Sequence, residues 1–120
     1  MTKDKLIERT KKFAHRCVKL ATTLPNSYLG NHIKGQLIRC STLVASNYRA
    51  TCHAISKAAF VSKLSIVIEE ADESEFWLEF IIDEELKKKH LIEPLRKEAH
   101  ELASIFISSR KTIQQKKIKT

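Results

Sequence analysis

Glycine and proline are scarce in this chain: two of each among 120 residues, at Gly30, Gly35, Pro25 and Pro94. A β-sandwich or barrel of this length needs turn residues roughly every 8–12 positions, so both are excluded. Two glycines also exclude a Walker loop and a GxGxxG fingerprint, which need several at fixed offsets. Cysteine is limited to Cys17, Cys40 and Cys52, with no CxxC spacing, which removes a dithiol or zinc pair. These thiols read as small core fillers in a reducing compartment. No apolar run approaches the roughly 20 residues of a membrane helix, so no membrane partner is expected. The opening Met1-Thr-Lys-Asp-Lys is charged and lacks a signal-peptide core, which points to the cytoplasm.

What is present is helical periodicity. Hydrophobic residues make up 42% of the chain and charged residues 30%, enough for one folded domain over residues 1–120. Residues three and four apart share a helix face. Leu6, Thr10, Phe13, Cys17, Leu20 and Leu24 follow that rule, giving a helix over about 4–23 that Pro25-Asn26-Ser27 ends. Ile33, Leu37, Cys40, Val44 and Tyr48 mark a second over about 28–52, with a start expected to fray at its two glycines. Ser56 is an N-cap for a third, over about 56–83, whose stripe is Phe60, Leu64, Val67, Ala71, Ser74, Leu78 and Ile81. The fourth is expected over about 91–115, with Pro94 in its first turn and Leu91, Leu95, Ala99, Leu102 and Phe106 on its inner face. Residues 114–120 read as a loose basic tail. Short connections make sequential helices antiparallel neighbours, so the expected fold is all-α: an up-down-up-down four-helix bundle.

Charge is unevenly placed. The formal net charge is +8, yet residues 1–68 hold 12 Lys/Arg and 2 acids, whereas residues 69–85 hold 9 acids and no base. Residues 86–120 return to 10 Lys/Arg against 3 acids. Helix one carries Lys5, Arg9, Lys12, Arg16 and Lys19 at helical spacing, and helix two adds Lys34 and Arg39. Such a row can track a phosphate backbone. A solvated face, or one that pairs with the acidic third helix, accounts equally for the composition. Glu70 and Glu73 lie one turn apart, and Arg49, whose planar fork matches a carboxylate, reads as their structural partner. Trp77 reads as core or interface. No histidine has Glu three residues before it, and there is no HExxH, so no catalytic residue, metal or cofactor is expected.

An ordered set of segments carries more information. Gln36-Leu37-Ile38-Arg39-Cys40-Ser41, Val44-Ala45-Ser46-Asn47-Tyr48-Arg49-Ala50, Ser56 to Leu64, and Glu69-Glu70-Ala71-Asp72-Glu73-Ser74 leading to Trp77-Leu78-Glu79 stand in sequence. Together with Leu95 to Thr112, they resemble the bacterial four-helix bundle proteins encoded in intervening sequences of 23S ribosomal RNA genes. Members often read Asn-Ile-Ala-Glu-Gly where this chain has Asn47-Tyr48-Arg49-Ala50-Thr51, and a Gly is common where Glu84-Glu85 stand. The resemblance implies a non-enzymatic homopentamer. A related protein, the accessory protein of diversity-generating retroelements, is a basic pentamer that binds nucleic acid and a reverse transcriptase. A ring would concentrate the charge of several protomers, and acidic Glu69–Glu79 would then face basic residues of a neighbour. Two readings of function stand: a basic oligomer that binds RNA or DNA without sequence preference through Lys5, Arg9, Lys12, Arg16, Lys19, Lys34 and Arg39, or a scaffold that binds another protein.

Overall fold

The computed structural model of the chain describes residues 1–119 and the side chains of residues 1–116. Thr120, and the side chains of Lys117, Ile118 and Lys119, lie outside the described residues, and with them part of the expected tail. Four helices follow one another: α1 (Lys3–Ala21), α2 (Tyr28–Thr51), α3 (Lys57–Asp83) and α4 (Lys89–Lys119). They form an antiparallel bundle with extents of 53 × 22 × 20 Å. Each helix packs along the next, while α1 and α4 close the ring along a much lighter seam.

Each start has a local cause. Thr2, Ser27 and Ser56 are N-caps whose hydroxyl oxygens accept from the backbone N–H of Lys5, Gly30 and Ala59 at 3.2, 3.0 and 3.1 Å. The cap at Ser27 holds the start of α2, which is helical from Tyr28 through both glycines. Gly30 is buried there for steric reasons: a Cβ would lie 2.0 Å from the Pro25 carbonyl oxygen. α3 ends in a Schellman turn, in which the Glu85 N–H donates to Ile82 O and the Leu86 N–H to Ile81 O, both at 3.0 Å. That turn requires a left-handed residue, and Glu85 supplies it at φ 55°.

The core follows the helical stripes, with one change of frame. Phe13, Cys17, Ile33, Leu37, Cys40, Val44, Leu64, Val67, Ala71, Leu78, Ile81, Leu102 and Phe106 are fully enclosed. In α4 the inner position is Ile92, and Leu91 is 57% exposed. α4 begins at Lys89, two residues before the expected start, so Pro94 sits inside the helix rather than in its first turn. At its other end α4 continues through Lys119, and the expected tail is helical over the residues described. Buried hydroxyls are satisfied locally: Thr10 donates to Leu6 O at 2.8 Å, Thr51 to Asn47 O at 2.7 Å, and Ser74 to Glu70 O at 2.8 Å.

Candidate nucleic-acid interface

The antiparallel bundle places the expected cations on two kinds of ground. Lys5, Lys12, Arg16 and Lys19 lie exposed on one flank of α1. Among the described residues none of the four has a carboxylate within ion-pair distance. Arg9 belongs to the same stripe but turns inward across the light seam. Its Nε and Nη2 donate to Glu98 at 2.8 and 2.7 Å, and Nη2 lies 2.9 Å from Glu101. The Glu98 bonds hold the Arg9 pKa above its ordinary value. Arg9 is therefore a strut between α1 and α4, and the reading of it as a free phosphate ligand is corrected. Lys34 is half-buried, and its Nζ donates to Asn31 Oδ1 at 3.5 Å.

A second correction concerns the α2–α3 seam. Arg39, expected on phosphate, pairs instead with Glu70 at 3.3 Å and with Glu73. Arg49, expected as the partner of those acids, is exposed. Antiparallel register decides the matter. Ser74 Oγ donates to Cys40 Sγ at 3.3 Å, so residue 39 falls within a turn or so of Glu73 and Glu70, and residue 49 lies about three turns nearer the α2–α3 connection. Burial raises the Glu70 pKa, which Arg39 partly offsets. Trp77 is half-buried, and its Nε1 donates to Glu73 at 3.4 Å. Its ring packs edge-on against His32, Phe76 and Phe80 with centroids 5.6, 5.0 and 5.8 Å away. Phe76, half exposed, carries this cluster to the surface.

The α3–α4 seam holds a group that sequence reasoning missed. Buried Glu75 accepts from Arg96 Nη1 at 2.8 Å and lies 3.1 Å from His100 Nδ1. Arg96 Nε also donates to Glu93 at 2.6 Å. This bond lowers the Glu93 pKa and raises that of Arg96. The signal was available: Glu75 falls beside Ser74 on the inner stripe, where an acid needs a partner. One further surface borders the flank. Between α1 and α2, Ile7, Ala14, Val18 and Ala45 floor a groove of about 450 Å³ rimmed by Lys11, His15 and Arg49, with no acid in its lining. Among the described residues, no group of three or more His, Cys, Asp or Glu is placed to hold a metal ion, and no helix is long and apolar enough to cross a membrane.

Fold and surface together define a class: a small four-helix bundle with a satisfied core, arginine–glutamate struts between helices, and an unpaired cationic flank. The chain belongs to the 23S rRNA-intervening sequence protein family, whose model matches residues 2–108. That membership agrees with the resemblance read from residues 36–78 and 95–112. Its fold is also similar to the crystal structure of a protein of unknown function from the S23 ribosomal protein family of Bacteroides thetaiotaomicron. The two are 32% identical with a TM-score of 0.82, over 92% of this chain and 99% of that one. No curated protein matches the chain.

Proposed function

We propose that the protein is a non-catalytic, basic, homo-oligomeric bundle of the cytoplasm that binds nucleic acid, RNA foremost, through phosphates and without reading sequence. One observation carries the reading. Lys5, Lys12, Arg16 and Lys19 stay exposed and unpaired on one flank, while Glu98 and Glu101 across the α1–α4 seam are taken by Arg9. Cations held in a row by a rigid helix release the counterions of a polyanion at little ordering cost. The chain offers phosphate contacts but no motif that reads base edges, so affinity without specificity follows. The test is anisotropy of a fluorescein-labelled 20-nucleotide RNA against KCl concentration. Log K should fall steeply with log[KCl]. Replacing Lys12, Arg16 and Lys19 by Gln should lower the slope, by at most about 2 at about 0.7 per lost contact to a single strand. A flat wild-type slope removes the reading and leaves the protein-binding scaffold.

Self-association is part of the same proposal and has its own support. The outer face of α3 presents Phe76 among Glu69, Asp72, Glu73 and Glu79. The α1–α2 groove offers the complement, an apolar floor under a basic rim. The two surfaces lie on different helices of one protomer, so their contact is heterologous, the type that forms a ring where the rotation closes, and this supports the pentamer that the family resemblance implies. Native mass spectrometry should give a single closed oligomer, and Phe76→Ala should shift it toward monomer. A wild-type monomer at micromolar concentration overturns this part.

A further inference from the structure

The fold assembles one end of the bundle from segments that are remote in sequence and almost free of acids. The α1 start, the α2–α3 connection and the end of α4 meet there. Met1, Lys3, Phe60, Thr112 and Ile113 line one groove, and Arg110 Nη1 donates to Ser65 Oγ at 3.1 Å. Residues 41–68 contain Arg49, Lys57 and Lys63 and no Asp or Glu, and residues 102–116 contain Arg110, Lys111 and Lys116 and no Asp or Glu. The acids near this end are Asp4 and Glu8, which Lys3 and Lys5 offset, and Glu101, which lines the inner part of the groove and pairs with Arg9. The opposite end gathers Glu79, Asp83, Glu84 and Glu85 together with Lys87, Lys88 and Lys89, which nearly balance them. The excess of positive charge is thus concentrated at one end of the 53 Å axis.

That length is several times the Debye length of about 8 Å at physiological salt, so each end acts on a ligand by its own charge. A polyanion arriving at the basic end is not repelled by the distant acids. On the α1 flank, by contrast, Arg9 at the middle of the stripe is taken up by Glu98 and Glu101 and adds no free charge.

We infer that this end, with Lys57, Lys63, Lys111 and Lys116 around Arg110, is the principal contact for the nucleic-acid backbone, and that the α1 flank is secondary. The inference rests on the nucleic-acid reading above and places its main surface elsewhere. The exposed residues between these cations include Ser62, Ser108, Thr112 and Gln115, whose hydroxyls and amide suit phosphate oxygens, and they lie beside exposed Ile55, Ile66 and Ile107. In a cyclic oligomer every protomer's basic end lies at the same level, so the ends form one crown and their contacts combine by avidity.

The experiment compares two charge-matched triples in the full chain: Lys57→Gln, Lys63→Gln, Lys111→Gln against Lys12→Gln, Arg16→Gln, Lys19→Gln. The substituted positions are exposed, and circular dichroism checks that both fold. The probe is the labelled 20-nucleotide RNA, titrated between about 50 and 300 mM KCl. The end triple is expected to weaken binding more than tenfold at 100 mM and to lower the salt slope by about 2. The flank triple should change affinity several-fold less. Equal losses, or a larger loss in the flank triple, overturn the inference while the nucleic-acid reading stands. A wild type with a flat slope overturns both. Sedimentation without RNA supplies the remaining outcome: salt-sensitive end-to-end association, abolished by the end triple, would assign this surface to the opposite end of another copy and overturn the inference.

Discussion

Replacing Arg9 by Ala separates a strut from a ligand. Arg9 is 20% exposed, its bidentate partner Glu98 17%, and Glu101 62%. A charge-assisted bond to a group this enclosed contributes about 1.5–3 kcal/mol, and partial exposure brings the Glu98 pair to about 1.5. The more exposed Glu101 adds about 0.5 kcal/mol. Arg9→Ala should therefore cost about 2 kcal/mol, part of it from leaving Glu98 unpaired beside the core. Unfolding entropy of about 2.1 cal/mol/K per residue gives about 0.25 kcal/mol/K for this chain, so Tm should fall by about 8 °C. Calorimetry measures that shift. A double-mutant cycle with Glu98→Ala should return a coupling of about 1.5 kcal/mol. Lys5→Ala, one turn away, should leave Tm within about 2 °C, as an exposed unpaired position does. The RNA assay supplies the opposite contrast, with the slope reduced in Lys5→Ala and unchanged in Arg9→Ala. A coupling below about 0.5 kcal/mol, or a salt slope that falls in Arg9→Ala, refutes the assignment.

Glu85→Gly should stabilise the fold by about 1 kcal/mol, since φ 55° is strained for Glu and free for Gly; denaturant melts check it, and a loss of stability would contradict the turn geometry. Gly30→Ala and Gly35→Ala should move in opposite directions. The first drives a Cβ into Pro25 O and should destabilise by more than about 2 kcal/mol, whereas the second meets nothing within 4 Å and should gain about 0.5–1 kcal/mol. Thiol titration at pH 8 should find Cys52 reactive in the native protein and Cys17 and Cys40 reactive only in denaturant. Both are enclosed, and burial pushes the Cys40 thiol up to about 11 and Cys17 higher still. Rapid native reaction of all three would show the core to be open.

Helix stripes were legible because burial repeats with the helix period. Nearly every residue on the first three read as inner lies inside, with Leu20 and Phe60 half-buried. The fourth slipped by one because Leu91 and Ile92 are adjacent apolar residues that both step correctly to Leu95. Only the start of α4 at Lys89 settles which one faces in. The Arg39–Arg49 exchange was legible in principle. Counting outward from the connection at 52–56 brings Arg39, not Arg49, level with Glu70. Fork chemistry alone chose the wrong arginine, since it says which residue type suits a carboxylate and nothing about register. Arg9 was less accessible. Its pairing depends on how α1 leans on α4, a contact between the two ends of the sequence that no local pattern encodes.

The division of labour between the two basic residue types bears on the function. The arginines that bridge helices are Arg9, Arg39 and Arg96, and among the described residues no lysine is within ion-pair distance of an acid. Arginine's planar fork fixes a geometry; lysine keeps a mobile, well-hydrated charge. The fold therefore uses its rigid cations to lock neighbouring helices and leaves its adaptable ones outside. A surface of lysines tolerates many phosphate positions, which is what binding without sequence preference requires. Folding also converts an ordering in sequence into one in space. The acid-free stretches 41–68 and 102–116 are separated by the most acidic part of the chain, and the antiparallel turns bring them to the same end. A net charge of +8 describes the solubility of such a molecule, but its encounters with a polyanion depend on where that charge has been carried.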